Sequence, residues 1–349
     1  MSQKLSGSKT SVVSSELVPF IDRRSGIDRR HAADAAAGGV SPWADRRKGD
    51  RRKSSLGAAI LCVSALFVSD LAVSPAGATE RVSIPATEAF TSDNVVLRGD
   101  ISKPEGDGPF PAVVLMHGCG GWQPAVRYAM KAYADYLVRH GFVVLDLDSF
   151  GPRHLGGGKV CESLGKLRDA RDYRTYDAYD ALRYLRTQKF VDAANVFLMG
   201  QSNGGSVAIN VAKGDVSQKV KEKDGGFRAV AAYYPWCGTF GSRKIELESP
   251  LIVFAGGQDD WTPASECNGV KSTGAELTVK TYPQAAHSFD LNIMPQRYLG
   301  RRIGGDKDAA EDSRARMLAF FVEHTVGSDV NTSPMLLAKN ESKARTESR

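Results

Sequence analysis

The segment LMGQSNGG, residues 198–205, places a serine between glycines at the point where an apolar run stops. Gly-x-Ser-x-Gly alone says little in a chain of 35 glycines, so its meaning depends on its surroundings. Upstream, NVFLMG is a short apolar run, the pattern of a strand buried on both faces. Downstream, SVAINVAK carries helical spacing. A tight strand-turn-helix junction needs small residues, because side chains there collide with the two elements. Gly200, Gly204 and Gly205 meet that need. Such a turn presents the Ser202 hydroxyl at the carboxyl edge of a sheet, in front of a helix N-terminus.

The same alternation extends in both directions. FPAVVLMHG, FVVLDLDSFG, FRAVAAYYPW, PLIVFAGGQ and ELTVKTYP read as strands. AVRYAMKAYADYLVRHG, closed by Gly141, reads as a helix, as do DARDYRTYDAYDALRYLRTQ and AAEDSRARMLAFFVEHT. A short helix is expected around Ala264–Val270. Ahead of these, RVSIPA and NVVLRGDISKP suit antiparallel strands. Strand-helix alternation with doubly apolar strands predicts an α/β fold, a mostly parallel, doubly wound sheet flanked by helices. No linker-like break interrupts it, so one domain is expected over 79–326, with a polar tail at 327–349.

The beginning of the chain has a different character. Residues 1–55 hold the repeats IDRRSGIDRR and ADRRKGDRR and carry 12 Lys and Arg against 6 Asp and Glu. The net charge of +6 therefore belongs to this arm, which reads as disordered. The balanced remainder gives no support for nucleic-acid binding by the folded domain. Residues 56–78 contain the apolar run LGAAILCVSALFV and end in Ala76-Gly77-Ala78, a signal-peptide-like pattern. A periplasmic or secreted protein is expected, with membrane attachment only through 56–78 if that segment stays uncleaved. The basic region before the run is longer than export requires, which leaves open a later translation start or an uncleaved anchor. Loss of Cys62 with the signal would leave four cysteines, an even number that permits two disulfides.

A serine hydroxyl becomes a nucleophile only when a base takes its proton. In the order serine, acid, histidine, each following a strand, the candidates are Ser202, Asp259 and His287. Asp259 lies in VFAGGQDDWTP and His287 in YPQAAHSFD, both just after apolar strands. Asp260 is the alternative acid, and a solvated turn carboxylate is the alternative role for either. His117, at the end of its strand, is read as shaping the HGCGG turn. The oxyanion formed on attack needs preorganised N–H donors, expected from the backbone of Asn203 and of Cys119. Trp122 and Arg153 are candidate substrate contacts, Arg153 with a structural ion pair as its alternative.

Taken in order, VVLMHGCGG, GQSNGG, GGQDDWTP and AAHSF resemble the dienelactone hydrolase family of α/β-hydrolases, over roughly residues 85–325. The resemblance implies a sheet of about eight strands and hydrolysis of small esters or lactones, with no cofactor and no metal. Two departures stand out. The family's type enzymes use a cysteine where this chain has Ser202, and a glutamate near Gly118 is missing here. Both changes point to Ser-His-Asp chemistry through an acyl-enzyme. Within this fold Cys161 falls near Cys119, while Cys237 and Cys267 flank the acid loop, so bridges Cys119–Cys161 and Cys237–Cys267 are expected, with free thiols as the alternative. A peptidase of the same fold and a non-catalytic binding protein remain as rival readings.

Overall fold

The computed structural model describes residues 79–87, 94–219 and 225–327. The expectations for the arm, for the segment 56–78 and for the tail beyond Gly327 lie outside the described residues.

The chain enters through β1 (Glu80–Pro85) and β2 (Val96–Ser102), which pair antiparallel. It continues as β3 (Phe110–Met116), α1 (Pro124–Arg139), β4 (Val143–Asp148), α2 (Leu164–Arg186) and β5 (Val191–Gln201). After these come α3 (Asn203–Lys213), α4 (Asp215–Lys219), β6 (Val230–Tyr233), β7 (Lys244–Leu247) and β8 (Leu251–Gly256). The chain closes with β9 (Lys271–Gly274), β10 (Leu277–Tyr282), β11 (Gln296–Tyr298), β12 (Arg301–Ile303) and α5 (Lys307–Glu323).

Eight strands form one sheet in the order β1-β2-β4-β3-β5-β6-β8-β10, parallel from β4 to β10. Residue alternation builds a core on each face. Val114, Leu145, Leu198 and Val253 face α2 and α3, meeting Leu182, Leu185 and Val207. Val113, Phe197 and Phe254 face the other way, meeting Met130 and Leu137 of α1 and Phe321 of α5. Doubly buried strands need apolar residues at every position, which is why they read as continuous runs.

After β3 the chain turns to one side to form β4, then crosses to the other side as β5. This reversal leaves a crevice between the carboxyl ends of β3 and β5, the usual place for a ligand in an open α/β sheet.

Local departures from the sequence reading lie in the loops. The helix expected around Ala264–Val270 is a single 3-10 turn, Ala264–Glu266. Cys267 is tied by a disulfide and Gly269 takes φ 74°, so the backbone leaves helical geometry and enters β9. Two short additions were not legible: β7 pairs with β9, and β11 with β12 as a hairpin.

Candidate active site

The turn after β5 has the form its glycines suggest. Ser202 takes φ 52° and ψ −113°, a conformation unfavourable to a residue with a side chain. It is held there because its amide donates to the Tyr233 carbonyl at 2.9 Å, and its own carbonyl accepts from Ser206 at 2.9 Å. The glycines permit close backbone approach. A Cβ on Gly200 would sit 2.1 Å from the Gly204 carbonyl oxygen, and one on Gly204 would sit 2.1 Å from that of Met116. The hydroxyl of Ser202 thus stands at the crevice, half-buried, at the head of α3.

His287 follows β10 and is 3% exposed. Its Nε2 lies 2.9 Å from Ser202 Oγ, and its Nδ1 lies 2.7 Å from Asp259 Oδ2. The ring is flanked by Tyr234, edge-on at 4.7 Å between centroids, and by Trp261 at 5.1 Å. Asp259 Oδ1 accepts the amides of Trp261 and Thr262, both at 2.8 Å. Desolvation pushes the Asp259 carboxyl up, but the His287 charge and the hydrogen bonds from His287 and Thr262 outweigh it, holding the group below the usual carboxylate range. Asp260 is placed elsewhere. It accepts the Arg302 amide at 2.7 Å and lies 3.5 Å from Arg297, on the β11–β12 hairpin.

Opposite Ser202, the turn after β3 comes close enough that a Cβ on Gly118 would stand 3.3 Å from Ser202 Cβ. Among the described residues, neither the Cys119 amide nor the Asn203 amide donates to another group. His117 is fully buried, and its Nδ1 donates to the Gly118 carbonyl at 2.8 Å. Desolvation and the Arg174 charge lower its pKa, which makes it a neutral turn-shaping ring. Disulfides join Cys119 to Cys161 and Cys237 to Cys267.

Two expected substrate contacts fall away from the crevice. Arg153 is buried in a bidentate pair with Asp177, both bonds 2.8 Å, beneath the loop after β4. Nη1 also donates to the Ser149 carbonyl at 2.8 Å, so the ion-pair alternative describes Arg153. Trp122 lies under the Arg127 guanidinium at 4.3 Å, because the Gly120-Gly121 turn carries it past the crevice. The aromatic walls are instead Trp236 and Trp261, with Leu164 and Leu167 of α2 opposite, around a cleft of about 330 Å³. Trp261 stands two residues after Asp259 and Trp236 three after β6, so their places beyond strand ends were a usable signal. Arg174, in mid-helix, gave none. Among the described residues no cluster of His, Cys, Asp and Glu is arranged to hold a metal ion.

A mostly parallel sheet with a serine on a strained turn after its central strand defines an α/β-hydrolase. More narrowly, the chain belongs to the dienelactone hydrolase family, whose sequence model matches residues 97–325. No curated protein matches the chain. Among solved structures it is similar to the dienelactone hydrolase-like promiscuous phosphotriesterase P91 from metagenomic libraries, at 19% identity and TM-score 0.51, covering 71% of this chain and 99% of that one. It is also similar to esterase 2 from the planctomycete Thermogutta terrifontis with propionate bound, at 18% identity and TM-score 0.50, covering 72% and 96%. At these identities the likeness concerns the fold.

Proposed function

We propose that the protein hydrolyses small carboxylic esters or lactones through an acyl-enzyme on Ser202. The observation that carries this reading is the unbroken chain Asp259–His287–Ser202, with links of 2.7 and 2.9 Å. His287 Nε2 takes the hydroxyl proton as Oγ bonds to the acyl carbon, and Asp259 stabilises the imidazolium. The carbonyl oxygen, now negative, accepts from the Cys119 and Asn203 amides. Collapse of the tetrahedral species expels the alcohol, which receives the proton from His287. Water, deprotonated by the same ring, then releases the acid. Membership of a hydrolase family supports this chemistry. The cleft's apolar walls suit an ester whose acyl or alkyl part packs between Trp236 and Trp261.

The test is turnover of p-nitrophenyl butyrate and labelling by a fluorophosphonate. The Ser202→Ala variant is expected to lose both, with kcat down by about 10⁴-fold or more; undiminished turnover removes the assignment. An exported location is part of the proposal, supported by two disulfides, which persist in oxidising compartments. Finding the mature chain in the reducing cytosol after fractionation overturns it.

A further inference from the structure

Arg174 is a fully buried cation, and among the described residues no carboxylate forms an ion pair with it. The nearby acids are engaged elsewhere. Asp177 is held by Arg153, and Asp148 accepts the amides of Phe150 and Gly151. Burial lowers the Arg174 pKa to about 10, so the guanidinium stays protonated at neutral pH. The charges of Asp177 and Asp148 offset part of the cost of burying it. A buried charge with no direct ion-pair partner remains costly, and the destination of its donors shows what the cost secures.

Nη1 donates to Asn203 Oδ1 at 2.8 Å, and Nη2 donates to the His117 carbonyl at 2.7 Å. These partners stand on opposite walls of the crevice. His117 leads into the turn that carries Cys119, and Asn203 opens α3 immediately after Ser202. The guanidinium lies over the Phe150 ring at 4.7 Å, which fixes its plane. Asn203 is secured from its far end as well, its Nδ2 donating to the Leu167 carbonyl at 2.8 Å.

The wall at Cys119 most needs such a hold. A peptide unit is planar, so the Cys119 N–H direction is set by the Gly118 carbonyl in the same plane. Glycine 118 offers little resistance to rotation on its own. Arg174 pins the plane before it through the His117 carbonyl, and the His117 ring pins the plane after it through the Gly118 carbonyl.

We infer that Arg174 is a positioning residue for the oxyanion hole, one guanidinium holding the Cys119 and Asn203 amides at the separation a tetrahedral intermediate requires. The inference rests on the serine-hydrolase reading above. It concerns rate more than substrate binding, because the two amides matter most once the oxyanion has formed.

The test compares wild type with Arg174→Gln, Arg174→Lys and Asn203→Ala. The readouts are p-nitrophenyl butyrate turnover per fluorophosphonate-titrated site, inhibition by phenylboronic acid and thermal melting. Phenylboronic acid adds to Ser202 Oγ as a tetrahedral boronate, the proton passing to His287, and so probes the same hole. For Arg174→Gln, kcat is expected to fall by about 10- to 100-fold with KM within about threefold. The boronate inhibition constant is expected to rise by a similar factor. Arg174→Lys, which keeps the charge and one reach, is expected to recover part of the loss. Asn203→Ala keeps the backbone amide but removes one tether, for a loss of about tenfold.

An active wild type whose folded Arg174→Gln variant keeps its kcat and boronate affinity overturns the inference alone. If Arg174→Gln does not fold, Asn203→Ala decides, and unchanged kcat and inhibition there overturn it equally. A wild type inert towards both ester and boronate overturns the hydrolase reading and this inference with it.

Discussion

Asp259→Asn is the substitution whose effect the geometry specifies most closely. Asp259 Oδ1 already accepts two backbone amides at 2.8 Å, so an asparagine must leave its carbonyl oxygen there. Its NH₂ group then replaces Oδ2, 2.7 Å from His287 Nδ1. An N–H facing Nδ1 forces that nitrogen to accept, which moves the ring proton to Nε2. Nε2 is the atom 2.9 Å from Ser202 Oγ, and once protonated it cannot take the hydroxyl proton. The side chain is buried, so solvent does not readily restore the other tautomer. The loss in kcat is expected to be about 10⁴-fold, or about 5.5 kcal/mol of transition-state stabilisation. Substrate binding is spared, so KM is expected to stay within about threefold. Asp260→Asn is the control. Its carboxylate faces hairpin arginines at the surface, and kcat is expected within about twofold of wild type. Steady-state kinetics with p-nitrophenyl butyrate at neutral pH read both. A fall of less than about tenfold in Asp259→Asn, or a larger fall in Asp260→Asn, refutes the reasoning.

Three further outcomes follow from the structure. Burial, with the like charge of Asp100, raises the Asp146 carboxyl from its ordinary 3.8 to about 7. Between those values the folded protein keeps a proton that the unfolded chain has released, so this group makes stability fall as pH rises and level off above about 7. Asp146→Asn is expected to remove that slope in melts from pH 4 to 8, and parallel curves for the two proteins reject it. The disulfides close separations of 42 and 30 residues, worth about 4 kcal/mol each in the chain-entropy model. Cys237→Ser with Cys267→Ser is expected to lower the melting temperature while kcat holds, whereas Cys161→Ser is expected to lower both, since Cys119 lies in the turn proposed to hold the oxyanion. Equal kinetic effects contradict the assignment. Finally, Gly204→Ala drives a methyl to 2.1 Å from the Met116 carbonyl oxygen. A loss of about 3 kcal/mol or more in chemical denaturation is expected, and a loss below about 1 kcal/mol contradicts that close approach.

The strand runs were readable because doubly buried strands admit apolar residues at every position. The elbow was readable because only glycine fits backbone contacts as close as those at Gly200 and Gly204. The order Ser202, Asp259, His287 followed, because consecutive parallel strands release their carboxyl ends on one side. Those features are local, or repeat with the period of an element, and the linear chain carries them. Which of two adjacent aspartates faces the imidazole was not so encoded. Asp259 and Asp260 share one turn, and the packing of Thr262 and the hairpin arginines separates their roles. Arg153 and Trp122 read as site residues because strand-end loops often serve sites, yet Asp177 and Arg127, on other elements, captured them. Arg174 was the reverse: a charged residue in a long polar helix reads as solvent-facing until the fold encloses it. Sequence alone determined the sheet, the turn at Ser202 and the strand-end positions of His287 and of the Asp259–Asp260 pair, because each depends on steric rules acting over a few residues. Tertiary structure decided which charges were buried together and what lines the cleft, because those contacts join elements far apart along the chain and depend on distances that no local pattern records.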